Sequence, residues 1–502
     1  MAHTADRAGV REWLGLAVLA LPTLLLSVDA TVLYLALPHL GADLRPSGTE
    51  TLWIIDVYGF MIAGFLITMG TLGDRIGRRR LLMIGAVAFG AASVAAAYAT
   101  DPVMLIAARA LLGIAGATLM PSTLALISNM FHDATQRGVA IGVWAACFSA
   151  GVAAGPLIGG ALLELFWWGS VFLLAVPVMV LLLVAAPFLL PESRDPSPGR
   201  LDLVSVALSL AAILPAIYGL KAVAADGVGV PALAAIVLGA VFAVLFVRRQ
   251  RSLPDPLLDV RLFARPAFLG ALLALLVGLA VVGVVYLFVT QYLQLVAGFS
   301  PLAAGLWLLP SAVAMIVTSM AAPVLARRVA PGPLVAVSLG VSAVGYLMLA
   351  FVDGPNGLAL VVAGLVVVYL GIGPMMALGT ELVVGAAPAE RAGSAAAMSE
   401  TSMEFGLALG VAVLGSVGTA VYRSELPAGV PGDAAESLAG ALAVGGSDVV
   451  EAARAAFTSS LNVVGVVSAT ATAVIALVTL LLVRGPAVEE KPLVDEERTS
   501  RT

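Results

Sequence analysis

Apolar runs of twenty or more residues recur along this chain from Trp13 to Val483, and no other feature restricts its fold as strongly. A helix needs roughly 20 mostly apolar residues to cross about 30 Å of hydrocarbon. Lipid offers the backbone no hydrogen-bond partners, so each run must satisfy its own amides and carbonyls, as a helix does. A membrane barrel would show short alternating segments instead, and none are present. Charged residues make up only 11% of the 502 residues, against roughly 25% in an ordinary soluble domain. The expected fold is an all-α polytopic membrane protein.

Charge-bearing and Pro/Gly breaks place the first six spans at 13–38, 49–72, 81–99, 103–130, 138–163 and 169–190. Eight more follow at 202–221, 231–247, 267–291, 301–325, 333–352, 357–384, 392–421 and 459–483. The closest division, between the third and fourth spans, rests on Thr100-Asp101-Pro102. Polar links at 191–200 and 248–265 bracket a helix pair, so the expected order is six helices, two inserted, then six more. The corresponding units are 1–190, a linker with two inserted spans at 191–265, and 266–483 with a long outer loop at 422–458. That loop is acidic and Ala-rich and has room for short surface helices. A charged tail at 484–502 is expected to be disordered.

Orientation follows from the basic residues in the loops. A cytoplasmic N-terminus puts twenty-one of the 26 Lys and Arg residues on the inner side and four (Arg45, Lys221, Arg423 and Arg454) outside, with Arg109 inside a span. Both termini are then cytoplasmic, in a plasma membrane. The net charge of −5 carries no basic tract suited to nucleic acid. Cys147, the lone cysteine, excludes an intrachain disulfide, and His3, His39 and His132 are too scattered for a metal site. No cofactor is expected. The first apolar run is too long for a signal-peptide core and reads as a retained anchor.

Several motifs break the apolar pattern. Gly70-Thr71-Leu72-Gly73-Asp74-Arg75-Ile76-Gly77-Arg78-Arg79-Arg80 joins the second and third spans. Its glycines permit a tight turn, and Asp74 can pair with a helix N-terminus or an arginine. Leu26-Ser27-Val28-Asp29-Ala30-Thr31-Val32, ending in Ala36-Leu37-Pro38, lies in the first span, and Arg109-Ala110-Leu111-Leu112-Gly113-Ile114-Ala115-Gly116 in the fourth. In the fifth, Gly151-Val152-Ala153-Ala154-Gly155-Pro156-Leu157-Ile158-Gly159-Gly160 sets a glycine every four residues. Such a stripe admits a neighbouring backbone, and Pro156 removes a hydrogen bond and bends its helix. Cys147, one turn earlier, reads as a small packed residue.

Together, in this order and spacing, these four motifs resemble those of the major facilitator superfamily, and of its fourteen-helix drug:proton antiporters in particular. Leu112 departs from the polar residue often found there. The turn at 326–332 keeps Arg327 and Arg328 but has no counterpart of Asp74. The resemblance implies two six-helix bundles rocking about a central pathway, with the fifth span at their interface. It also implies that Asp74, Arg75, Gly155 and Pro156 serve the conformational change.

An ionisable residue at the bilayer centre costs roughly 3 kcal/mol. Counted from the outer ends of their spans, Asp29 lies about 14 Å deep, Asp56 about 10 Å and Arg109 about 9 Å. A charge-compensated cluster is expected, with Arg109 tuning the two acids. In the thirteenth span Glu400 and Glu404 are i and i+4 and share a face. Two carboxylates so placed resist simultaneous ionisation, which suits a site that holds either a proton or a cation. Glu-rich versions of this span resemble exporters of quaternary ammonium compounds and cationic dyes. Tyr34, Tyr58, Phe148 and Phe405 are candidate contacts for a flat cation, while Glu381 reads as interfacial.

The expected function is proton-coupled efflux of lipophilic, cationic, drug-like molecules by a monomer that exchanges protons for cargo. The alternative is an exporter dedicated to one natural product. A membrane enzyme would need a nucleophile or metal constellation, and ATP hydrolysis a phosphate loop; the chain shows neither.

Overall fold

The computed structural model describes residues 8–194, 202–253, 256, 258–388, 392–427, 430 and 432–483. The tail at 484–502 and part of each polar link fall outside these residues.

Among the described residues, fourteen helices are long and apolar enough to span a membrane. The first bundle comprises α1 (Val10–Leu44), α2 (Gly48–Ile76), α3 (Arg78–Ala97), α4 (Pro102–Met130), α5 (Ala134–Leu165) and α6 (Ser170–Leu189). The inserted hairpin is α7 (Leu203–Asp226) and α8 (Val230–Ser252). The second bundle comprises α9 (Pro266–Gln291), α10 (Pro301–Leu325), α11 (Pro331–Leu349), α12 (Leu358–Gly385), α13 (Ala392–Glu425) and α14 (Ser447–Leu482). The face where α1 begins and α14 ends is termed terminal, and the opposite face distal.

Local signals set the helix ends. Ser47 and Glu50 form a reciprocal capping box at α2, with Ser47 N donating to Glu50 Oε2 at 2.8 Å. The tight α3–α4 division is sharp because Asp101 caps α4, accepting from Met104 N at 2.9 Å, and Pro102 opens the helix without needing a donor. α14 starts at Ser447, so residues 447–458, expected in the outer loop, are helical. Hydropathy alone misses these turns because they carry Glu451 and Arg454. Ala453, Ala456 and Phe457 nevertheless bury a face there, and Arg454 Nε donates to Leu295 O at 2.9 Å. Two short helices, Gly432–Glu436 and Leu438–Val444, complete the connection.

Within the first bundle α1 packs on α5, α2 on α4, and α3 on α4 and α6; within the second α9 packs on α13 and α14, and α12 on α10 and α11. Between the bundles α2 meets α13 and α5 meets α10, while α7 packs against both α2 and α13. Closure at the distal side is tight. A Cβ at Gly160 would lie 2.6 Å from Leu302 Cα, and one at Gly305 would lie 2.5 Å from Pro156 O. Near the terminal end of α5, Gly138 and Gly142 face open space. Glu436, on the distal connection, accepts from Gly48 N at 3.2 Å and Arg423 Nη2 at 2.8 Å, strapping α13 to the start of α2.

Candidate functional site

In the first bundle, Arg109 on α4 is 2% exposed and reaches α1 and α2 together. Nη1 donates to Asp29 Oδ2 at 2.9 Å, Nε donates to Ile54 O at 3.2 Å, and the guanidinium lies 4.3 Å from the centre of the Tyr58 ring. An arginine suits this position because its planar fork can stack and donate in several directions at once. Gly113 lets α4 come this close: a Cβ there would lie 2.5 Å from Tyr58 O.

Asp56 does not join that pair. Its Oδ2 lies 2.8 Å from Lys221 Nζ, with both side chains essentially sealed from solvent. The Lys221 ammonium also sits 4.2 Å from the centre of the Trp53 ring. Lys221, expected in an outer loop, is therefore inside the protein on α7. It closes an apolar run, where hydropathy marks a boundary, but the helix continues to Asp226.

Glu400 and Glu404 are half-buried on α13, and neither has an ion-pair partner among the described residues. Glu404 lies at the α2–α13 seam, where a Cβ on Gly59 would be 3.5 Å from its carbonyl oxygen. It is within Coulombic reach of both Tyr34 and Tyr58; Asp56 and Arg109 likewise reach Tyr34. Tyr34 packs edge-to-face on Tyr286 of α9 at 5.3 Å, and Phe60 faces Phe405 at 6.0 Å, so both contacts cross between bundles. Ser402 Oγ donates to Leu272 O at 3.2 Å and holds α13 on α9. The fold thus gathers Asp29, Asp56, Arg109, Tyr34 and Tyr58 from one bundle with Glu404 and Phe405 from the other. Tyr286 and Tyr369, unremarked in the sequence, are buried in the same region. Phe148 is half-buried on α5 and, among the described residues, joins no aromatic pair. Glu381 is exposed near the terminal end of α12.

The glycines of α5 divide between two neighbours. The stripe of Gly151, Gly155 and Gly159 faces α1 of its own bundle, where added Cβ atoms would collide with Ser27, Thr31 and Val32. Contact with the other bundle comes from the Pro156 carbonyl and from Gly160, on a different face of α5. At the α2–α3 turn Asp74 of α2 pairs with Arg78 of α3 at 2.6 Å, across Gly77, and Arg75 is exposed. Gly77 adopts φ +108° with Glu192 packed over its open side. Arg79 N donates to Glu192 Oε1 at 3.2 Å and Arg79 Nη1 to Leu190 O at 3.0 Å, clamping the turn to the end of α6. Glu192, read only as a linker residue, is part of this turn.

Residues 19–411 match the Major Facilitator Superfamily. The chain is 46% identical over 480 residues to a multidrug efflux pump, LfrA, of Mycolicibacterium smegmatis, covering 93% of this chain and 95% of that protein. It is 35% identical to the methyl viologen resistance protein SmvA of Salmonella typhimurium, covering 90% and 94%. Among solved structures, a peptide transporter in complex with sulfate superposes with a TM-score of 0.64 at 18% identity, covering 93% and 94%. That likeness concerns the fold alone. Sequence match and fourteen-helix architecture together make this chain a transporter of the major facilitator superfamily.

Proposed function

We propose that this transporter is a proton-coupled efflux antiporter for lipophilic organic cations. The single observation that carries the reading is Glu404: a carboxylate with no basic partner among the described residues, on the α2–α13 seam where the two bundles meet. Such a group can hold a proton or a cation, with no counter-ion among the described residues to keep it permanently neutralised. Glu400, one turn earlier, adds a second negative charge on the same face. Asp29 and Asp56 begin the cycle compensated by Arg109 and Lys221. The name of one relative, a multidrug efflux pump, fits export, and that of another, a methyl viologen resistance protein, fits cationic cargo.

In this reading the terminal face is cytoplasmic. The basic residues support that choice: with Lys221 in the interior, only Arg45, Arg423 and Arg454 remain for the distal face. Residues 1–190 and 266–483 act as the two moving units of a monomer, with 191–265 linking them. Gly155, Pro156, Asp74 and Arg75 serve the rearrangement, and Tyr34, Tyr58 and Phe405 contact cargo; Phe148 would do so from α5 in another conformation.

The test uses inverted membrane vesicles with an imposed proton gradient, acidic inside. Ethidium should accumulate in vesicles bearing the wild-type chain and fail to do so with Asp29→Asn or Glu404→Gln at equal protein levels. Accumulation that ignores the gradient, or that survives both substitutions, would reject the proton-coupled reading. Export of a single neutral compound would favour a dedicated exporter.

A further inference from the structure

Lys221 is the feature that a six-plus-six mechanism does not require, because it belongs to the inserted hairpin. The helix that carries it is not peripheral. A Cβ at Gly64 of α2 would lie 2.7 Å from Leu210 of α7, and Ile217 of α7 joins Phe60, Ala408 and Ala412 in one apolar cluster. Trp53 and Asp56 are three residues apart on α2, so an aromatic face and a carboxylate present themselves side by side. The Lys221 ammonium lies 2.8 Å from the carboxylate and 4.2 Å from the ring centre. An aromatic face beside a carboxylate is the chemistry that recognises an organic ammonium ion.

The pair is poorly made for a purely structural clamp. Among the described residues Asp56 Oδ1 is buried without a hydrogen-bond partner, and the Lys221 ammonium has none beyond its ion-pair contact. A buried ion pair repays its desolvation only when its remaining donors and acceptors are satisfied. One left incomplete is held weakly relative to an apolar pair of the same shape, and so is open to exchange. A lipophilic cation would bring to the same cage the apolar surface that an ammonium lacks. Lys221 also lies five residues before the end of α7, about 8 Å from the distal helix end, so a displaced ammonium can snorkel toward that face.

We infer that Trp53 and Asp56 form an organic-cation site whose resident ligand in this conformation is Lys221 of the inserted helix, displaced when cargo binds. The inference rests on the cation-export reading and adds a built-in competitor to it. It gives the inserted hairpin a role: it keeps a buried carboxylate neutralised between cargoes.

Two measurements on the purified full-length protein test it. The chain has two lysines, Lys221 and Lys491, so reductive methylation read by mass spectrometry has an internal control. Saturating tetraphenylphosphonium should raise methylation of Lys221 severalfold and leave Lys491 unchanged. Second, Lys221→Met should tighten tetraphenylphosphonium binding at mildly alkaline pH, because an internal ligand that leaves the site vacant in about a tenth of molecules weakens apparent affinity about tenfold. Trp53→Leu added to Lys221→Met should remove that gain. The methylation experiment needs no substitution and holds even where Lys221→Met folds poorly. Binding by the wild type with Lys221 unreactive throughout, or unchanged affinity in a well-folded Lys221→Met protein, overturns this inference alone. Failure of the wild type to bind any organic cation overturns the export reading with it.

Discussion

Gly77 shows how much a single residue can fix. Its φ of +108° is open to glycine and strained for any other residue, and a Cβ there would run into Glu192. Gly77→Ala is expected to cost about 1 kcal/mol or more, seen as a lower melting temperature in detergent; an unchanged melt would mean that the turn relaxes freely. Arg109 is equally constrained. A lysine cannot donate to Ile54 O and Asp29 and lie over Tyr58 together, so Arg109→Lys should cut dye export at least about tenfold, equivalent to about 1.4 kcal/mol, at normal protein levels. Export at the wild-type rate would reduce Arg109 to a generic counter-charge. Asp29, Asp56, Arg109, Glu400 and Glu404 were legible in the sequence because a charge inside an apolar run stands out. Which of them pair, and with what, was not, since pairing depends on helix rotation. Equal depth suggested one cluster of three, whereas the fold divides it into Asp29–Arg109 and Asp56–Lys221.

Among the elements, the inserted hairpin has the clearest local design. Asp202 caps α7 by accepting from Ser205 N at 3.0 Å and pairs with Arg249 of α8 at 2.8 Å. Gln250 Nε2 donates to Ser205 Oγ at 2.6 Å, and Leu258 N donates to Gln250 Oε1 at 3.0 Å. Partial burial pushes the Asp202 carboxyl up, but hydrogen bonds from Arg249 and Ser205 outweigh it and hold the group below the usual carboxylate range. The latch's contribution is therefore full above the ordinary carboxylate pKa and is lost only as pH falls through the lowered value. Asp202→Ala should remove about 1 kcal/mol of cap energy and speed hydrogen exchange in the first turns of α7 roughly fivefold; unaltered exchange would place the latch elsewhere. Helix number and order were readable because apolar length is a property of each segment alone. Where the chain turns polar before it stops being helical, as at 447–458, the signal failed. The direction in which the glycine stripe of α5 faces was unreadable for a related reason: spacing defines a face but not its neighbour.

At the scale of the molecule, the two bundles are closed against each other on the distal side, through Gly160 on Leu302, Gly305 on Pro156, and a hydrogen bond from Ser300 to Glu164. Export requires that seam to open. Glu164→Cys with Ser300→Cys, in a Cys147→Ala background, should cross-link and block transport until reduced; full transport by the cross-linked protein would mean that the seam does not gate. Proton-coupled export requires cargo and protons to compete for the same acids within the membrane. The most direct measurement follows pH in a weakly buffered solution of purified protein as tetraphenylphosphonium is added. The account predicts that the wild type releases protons on binding, and that Glu404→Gln releases fewer. Binding with no proton release, or with release unchanged in Glu404→Gln, would contradict it.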